Sequence, residues 1–579
     1  MGDPATVPPL PDHSTLNLLS SLVTCHSSLR LHTSPVPADS QARTHTVSSP
    51  FRSPWLVVLL AFAVPVGFAG FTDHAWEDYF ITLRSSRNLV EGHGLVFNVG
   101  ERVHTFTSPL GVLVPALCTW LAGPGHEALA LWLFRIIGAG LLALAVLGVW
   151  RRAATLGLRA PGRFVLFGLI LADAKLADCT INGMETALLV FFLLLLWTEL
   201  ESPVTPRASR LGLALAGLMW TRPDAFILAG AVIVPHLIFR RRDPLAPTRP
   251  RPWRPLLRAA LLGGALYLPW FAWAWWYYGS PIPHTIVAKS SFAAPVHPLD
   301  LLRIPFRTLA GRSLLQHLFL PSYSIFGGWP VALAWFARFL SALAAFAWLV
   351  PGLAPVARRL SLAVFLGMFY VCSIFVFPWY LPPWTVLAAL ALAFTFDHAC
   401  SRLARIRPTP SRATGALLSA LRIAAAAGVC TQAAVLLASA WQMRVQQRLI
   451  EDSGRRDIGL WLRAHAAPRD TVFLESLGYI GYYSQLKTYD FPGLSSPEVV
   501  AAIRGGATRY VDLIAQLRPA WLVLRPADIL SPEFADRPIL RDYVLVRTWD
   551  ALPALDAIRF LPGRNWLNFD AQYLLYRRR

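Results

Sequence analysis

From residue 54 to residue 441 the chain is dominated by long apolar runs, from PWLVVLLAFAVPVGFAGF at 54–71 to an alanine- and leucine-rich stretch at 414–441. Runs of this kind are stable in lipid as helices, which satisfy their own backbone, and about 20 residues cross the hydrocarbon core. With 579 residues and 55% hydrophobic content, the chain is more apolar than a water-soluble globular protein. It reads as a polytopic α-helical membrane protein. A net charge of +20 would suggest nucleic acid for a soluble chain, but here the arginines cluster at the ends of apolar runs, where they set topology. No nucleic-acid partner is expected.

The pattern predicts about eleven membrane helices, at 54–71, 129–150, 163–180, 185–199, 211–222, 225–239, 254–278, 328–350, 360–377, 383–396 and 414–441. This count puts Arg52, Arg151 and Arg152, Arg207 and Arg210, Arg240 to Arg242, Arg358 and Arg359, and Arg402 to Arg407 on one side, the cytoplasm. The run at 108–123 would break that pattern as a full span, so it is expected to be a re-entrant or surface-lying helix on the outer face. The short pairs around NGMET (182–186) and TRPDAF (221–226) look like helices that stop at the outer edge of a cavity.

Three parts follow. Residues 1–53, rich in Ser, Thr, Pro and His without periodicity, read as a disordered cytoplasmic tail or the result of an early start codon. The span after them lies too deep, and lacks a convincing cleavage site, to be a removable signal peptide. Residues 54–441 form the membrane domain, with a polar outer loop at 72–128. An odd number of spans leaves residues 442–579 outside the cytoplasm, where RRDIGLWLRAHA reads as an amphipathic helix and TVFLE, AWLVLR and DYVLVRTW as strands of a small extracytoplasmic α/β domain. The six scattered cysteines imply neither a disulfide framework nor a metal site.

The outer loop carries the chemistry. Glu77 and Asp78 stand side by side at a membrane surface, where acids are costly and usually line a cavity or do work. Arg84, Arg87, Asn88, His93 and Asn98 follow, with Arg84 and Arg87 about one turn apart on a helix beginning near Trp76. Guanidinium groups fork onto phosphate oxygens, and a carboxylate remains to accept a proton, so the set suits an anionic sugar-linked substrate. Other outer-face groups join them: Asn182 and Glu185, Arg222 and Asp224, His284 and Lys289, and Trp379 with Tyr380. Each alone fits a helix start or an interfacial anchor; their convergence on one face makes them candidate substrate-binding residues. In the tail, the glycines of ESLGYIGYYS favour close packing over ligand binding, although its tyrosines would also suit a sugar. Nucleotide, zinc-protease and serine-hydrolase motifs do not occur in a fitting context.

The segment WEDYFITLRSSRNLVEGHGLVFNVGERVHTFTSPLG resembles the first outer loop of the GT-C glycosyltransferases, in the group containing the mycobacterial terminal β-1,2-arabinofuranosyltransferase. NGMETAL, TRPDAF, PHTIVAKS, PWYLPP and GYIGYYS extend the resemblance from about residue 72 to about residue 500. It implies an integral membrane enzyme that moves a sugar from a polyprenyl-phosphate donor to a glycan, lipid or protein acceptor, at the outer face of the cytoplasmic membrane. It further implies that the first acid of the pair is the base. Relatives have Asp-Asp where this chain has Glu77-Asp78, and often Glu where it has His104, so either acid of the pair can be the base. Arg84, Arg222, His284 and Lys289 are the candidates to bind the phosphate. No cofactor is required; carboxylates facing phosphate would accept Mg²⁺ or Mn²⁺, and the cations can replace one. A transporter or flippase of polyprenyl-linked lipids, or a non-catalytic GT-C-like lipid-binding scaffold, are the alternatives.

Overall fold

A computed structural model describes residues 53–239, 253–291, 297–373, 377–405, 412–535 and 538–579. The expected N-terminal tail, Arg240 to Arg242 and Arg407 lie outside them.

The first helices are α1 (Pro54–Thr72), α2 (Glu77–Val90), α3 (Pro109–Ala122), α4 (Glu127–Thr155), α5 (Ala160–Leu171), α6 (Ala174–Ile181), α7 (Thr186–Leu200), α8 (Ala208–Thr221) and α9 (Ala225–Phe239). They are followed by α10 (Trp253–Tyr278), α11 (His284–Ser290), α12 (Pro298–Leu309), α13 (Val331–Phe346), α14 (Pro355–Ser373), α15 (Pro382–Arg405) and α16 (Arg412–Gln446). Among the described residues, 7 helices are long and apolar enough to cross a bilayer, or 8 if the bent pair α6–α7 counts as one span. The chain is thus a multi-pass membrane protein.

The spans fall short of the eleven expected: the runs at 211–222 and 225–239 form helices of only 14 and 15 residues, and one further run is divided. The run at 163–180 is two helices, because Asp173 accepts the Leu176 N–H at 2.7 Å and starts α6 as an N-cap. From α6 the chain turns by 115° into α7, and the NGMET residues occupy the bend. TRPDAF likewise joins α8 to α9 without forming a continuous helix. At 14 residues α3 is shorter than a span, in keeping with the expectation for 108–123.

Between membrane helices, close packing rather than the hydrophobic effect holds the bundle together, and small residues let neighbours approach. Gly367 on α14 faces the Trp384 ring so closely that a Cβ there would lie 2.2 Å from it. Larger side chains at that position would push α14 off α15.

Residue 412 begins a helix that continues without interruption to residue 465. It passes from α16 through a π-helical stretch, Gln447–Arg456, into α17 (Asp457–His465). Beyond lie β1 (Thr471–Leu474), α18 (Leu477–Ser484), β2 (Lys487–Asp490), α19 (Pro497–Arg504), α20 (Tyr510–Leu517), β3 (Trp521–Leu524), β4 (Tyr543–Asp550) and β5 (Gln572–Arg578). They build one sheet of order β2-β1-β3-β5-β4, with β1 parallel to β2 and β3, and β5 antiparallel to β3 and β4. Val472, Leu474, Trp521 and Leu575 pack with Ile458, Leu462 and Ile480, from α17 and α18, on one face of the sheet. Sequence pattern had given β1, β3, β4 and the amphipathic helix; β2 and β5 are additions.

Candidate active site

The site is assembled on a scaffold behind the acid pair. Asp73 ends α1 in the left-handed conformation at φ 49°. Arg135, fully buried on α4, donates to Asp73 Oδ1 at 2.7 Å, to the His74 carbonyl at 2.9 Å and to the Ile181 carbonyl at 3.0 Å. Asp178 on α6 accepts Trp76 Nε1–H at 3.0 Å and the Asn182 amide at 3.3 Å, with the His74 ring 3.1 Å away. Trp76 N–H donates in turn to the Asn182 carbonyl at 2.9 Å. Asn182 therefore fixes the entry of α2 rather than opening onto a cavity. Two bound loops converge here, so the start of α2 has little freedom.

Glu77 and Asp78 form the first turn of α2, where the helix dipole favours negative charge. Desolvation nonetheless raises both carboxyls above their ordinary values, and each is affected by the other and by Arg455. Facing Asp78 electrostatically are Lys289 and Glu185. Glu185, at the start of α7, accepts a hydrogen bond from Arg222 at 2.9 Å, and Arg222 also reaches Asp224 at 2.9 and 3.3 Å. The Arg222 guanidinium lies 4.1 Å from the Tyr380 ring centre, and the Tyr370 hydroxyl donates to Asp224. Lys289 sits 4.8 Å over the Phe377 ring. Arg222, Asp224, Tyr370, Tyr380 and Trp384 line a small cleft between helices. Trp379, next to Tyr380 in the chain, has its ring 5.6 Å from that of Trp76.

Of the expected site residues, Glu77, Asp78, Glu185, Arg222, Asp224, Lys289 and Tyr380 come together. The others do not. Arg84, expected to bind phosphate, is buried and spends its donors on the carbonyls of Gly481 at 2.8 Å, Leu486 at 3.0 Å and Gln485 at 3.3 Å. Arg87 stacks 4.6 Å over Tyr482 and pairs with Glu91. Asn88 donates to the Val96 and Phe97 carbonyls at 2.8 and 3.0 Å, and closes the loop that also holds Asn98. His93 is exposed beside Glu91. His284 turns to the tail, where Asp490 and the backbone of Ser496 and Gly493 act on it, and burial lowers its pKa. His104 stacks on Tyr278 at 4.5 Å in an aromatic box, and burial pushes its pKa down to about 3.

The tail tyrosines pack on α2. Tyr479 lies 4.1 Å from Phe80, and Tyr482 lies 5.3 Å from it. Sequence pattern does not reveal Arg455 or Tyr323. Arg455, on the π-helical stretch, bonds Glu451 at 2.9 Å, Asp570 at 2.6 Å and the Tyr573 hydroxyl at 2.9 Å. Its one visible signal was the spacing of Glu451 and Arg455 by four residues. Among the described residues, no three His, Cys, Asp or Glu side chains form a metal-binding group.

Residues 441–576 match a family described as a domain of unknown function, DUF8728. The terminal β-(1→2)-arabinofuranosyltransferase of Mycobacterium tuberculosis is 29% identical over 254 residues, covering 41% of this chain and 38% of that protein. Its namesake from Corynebacterium glutamicum is 31% identical over 253 residues, covering 39% and 34%. The match thus spans little more than a third of the curated relatives' length. A crystal structure of ArnT from Cupriavidus metallidurans bound to undecaprenyl phosphate superposes with a TM-score of 0.51 at 14% identity, over 90% of this chain and 97% of that one. The fold is that of the polytopic GT-C membrane proteins. Over the part of its length matched to them, the chain is similar in sequence to the terminal arabinofuranosyltransferases.

Proposed function

We propose that the protein transfers a sugar from a polyprenyl-phosphate donor to a glycan, lipid or protein acceptor at the outer face of the cytoplasmic membrane. The N-terminus would lie in the cytoplasm and the domain from residue 442 outside, among membrane lipids that hold the donor's tail. The observation that carries this reading is the cluster in which Lys289 and Glu185 act on Asp78 while Arg222 holds Glu185. Relatives named as arabinofuranosyltransferases support the reaction class.

In the reaction, one carboxylate of the pair takes the proton of an acceptor hydroxyl as its oxygen bonds to the anomeric carbon. The carbon–oxygen bond to phosphate breaks, and its electron pair leaves with polyprenyl phosphate. Inversion follows from this single displacement. Arg222 and Lys289 neutralise the charge that develops on the leaving phosphate. Raised carboxyl pKa values suit a base that must hold a proton transiently.

The test is a panel of radiolabelled polyprenyl-phosphate sugars offered to the purified protein in lipid, with glycan and lipid acceptors. Appearance of label in acceptor supports the reading. Movement of intact donor between leaflets, without transfer, would instead make the protein a flippase.

A further inference from the structure

The chain enters α2 through His74, Ala75 and Trp76, and these residues are held from two sides. The membrane domain holds the outer two. The His74 carbonyl accepts from Arg135, while Trp76 donates through its backbone to Asn182 and through its indole to Asp178, with the Tyr323 ring 4.9 Å from its own. Ala75 is held instead by the helix that leads into the outer domain, and by α18. Its N–H donates to Gln447 Oε1 at 3.1 Å, the Gln447 amide donates to the Tyr479 hydroxyl at 3.1 Å, and that hydroxyl donates to the Ala75 carbonyl at 3.2 Å. The three bonds close a ring on one residue. Ala75, Gln447 and Tyr479 are all buried, where a lost bond leaves its partner unsatisfied. Gly478, beside Tyr479, donates its own N–H to the Glu77 carboxylate.

Gln447 opens the π-helical stretch Gln447–Arg456. Three side-chain bonds there span five positions: the Gln446 amide to Glu451 at 3.0 Å, the Gln447 amide to Asp452 at 3.2 Å, and the Ser453 hydroxyl to the Arg448 carbonyl at 2.8 Å. Residues five apart point about 140° apart around an α-helix, and the i→i+5 winding of a π-helix brings them together. The winding sorts two neighbouring side chains between two partners. Gln446 and Glu451 join Arg455, which bonds Asp570 and the Tyr573 hydroxyl inside the outer domain. Gln447 takes hold of the residue that leads into the acid pair.

We propose that Gln447 is a positioning residue, which fixes the entry of α2 through Ala75 and so the place of Glu77 and Asp78. The π register lets one helix grip the outer domain and the acid-bearing helix at once. The proposal rests on the glycosyltransferase reading and deepens it, because a misplacement of about 1 Å at a reacting group costs up to about 10²-fold in rate. Gln447 touches no substrate and acts through the backbone of Ala75.

The test compares full-length wild type in lipid, with a donor it accepts, to Gln447→Met, Tyr479→Phe, the two combined, and Gln446→Met. Gln447→Met keeps the length of the side chain and loses its hydrogen bonds, so kcat is expected to fall about 10- to 100-fold with KM within about two-fold of wild type. Tyr479→Phe frees only the Ala75 carbonyl and is expected to give a smaller fall of the same kind. Because both act through Ala75, the combined variant is expected to lose little more than Gln447→Met alone. Gln446→Met loses a bond in the same stretch without touching Ala75, and is expected to melt lower but keep kcat within about two-fold. Wild-type kcat in Gln447→Met, an equal loss in Gln446→Met, or a change in KM alone overturns the positioning role. Should Gln447→Met fail to fold, Tyr479→Phe carries the same comparison with Gln446→Met. A wild type inactive with every donor overturns the glycosyltransferase reading and the kinetic role with it. The contact itself is still decided by hydrogen exchange: the Ala75 amide is expected to exchange at least about ten-fold faster in Gln447→Met than in wild type, and equal rates would overturn it.

Discussion

Replacing Gly478 by Ala tests the seam between the outer domain and the catalytic helix, because two opposing effects give opposite signs. In an ordinary helix, Gly→Ala stabilises by up to about 1 kcal/mol. Here the new Cβ would lie 1.8 Å from the Glu77 carbonyl oxygen and 2.7 Å from its carbon. Both are backbone atoms, so no side chain can swing aside. For ordinary van der Waals contact α18 must retreat by more than about 1 Å, with an overpacking cost of about 1–3 kcal/mol. The retreat also stretches the bond from Gly478 to the Glu77 carboxylate, and a hydrogen bond to a charged group contributes about 1.5–3 kcal/mol. The net effect is a destabilisation of about 2–4 kcal/mol. Gly481, one turn on, is the control: its Cβ would meet the edge of the Phe97 ring at 3.1 Å, and Gly481→Ala is expected to be near neutral. Hydrogen exchange of α18 and α2 amides in lipid reads the difference. About 2 kcal/mol is roughly a 30-fold faster opening. Exchange in Gly478→Ala as slow as in wild type, or slower, would refute the close approach.

Three further outcomes follow. Arg455→Met leaves the buried Glu451 without its cation and with the Gln446 amide at 3.0 Å, at a cost of about 3–5 kcal/mol, while Asp570 keeps Arg525 at 2.8 Å. The pair Glu451→Leu with Arg455→Met is expected to recover most of that loss in the same exchange experiment. Because both acids of the pair have raised pKa values, the acid limb of the pH–rate profile is expected above the ordinary aspartate value of 3.8. The same shift makes the folded state bind more protons between the ordinary and raised values, so stability falls as pH rises through that window, measurable by melting across pH. Chelation with EDTA is expected to leave transfer within about two-fold of the untreated rate if Arg222 and Lys289 carry the phosphate charge.

Much of the fold was legible because membrane helices announce themselves locally, through length and hydropathy. The breaks at NGMET and TRPDAF were legible too, since polar residues and proline interrupt otherwise continuous runs. The cut at Asp173 was not: one capping side chain ended a helix whose hydropathy continues through it. Strand β2 was hidden because KTYD is short and follows directly on a tyrosine-rich helix, and β5 because its end carries arginines. At the site, residue type gave the acid pair, Arg222 and Lys289, but it also offered Arg84. Arg84 has the right chemistry for phosphate, yet its partners are carbonyls in α18 and the turn after it, which local pattern does not reach. Arg455 was missed for the same reason, since its bond to Asp570 spans 115 positions. The glycines of GYIGYYS do form a close-packing surface, and Gly478 against Glu77 is that contact.

The central claim is that a sugar leaves a lipid phosphate at this site. It is tested most directly by a polyprenyl-phosphate sugar labelled separately in phosphate and sugar, given to the purified protein in vesicles with acceptor and no nucleotide. The account predicts release of polyprenyl phosphate in step with transfer of the sugar to acceptor. Donor recovered with its sugar–phosphate bond intact, on either side of the membrane, would contradict it.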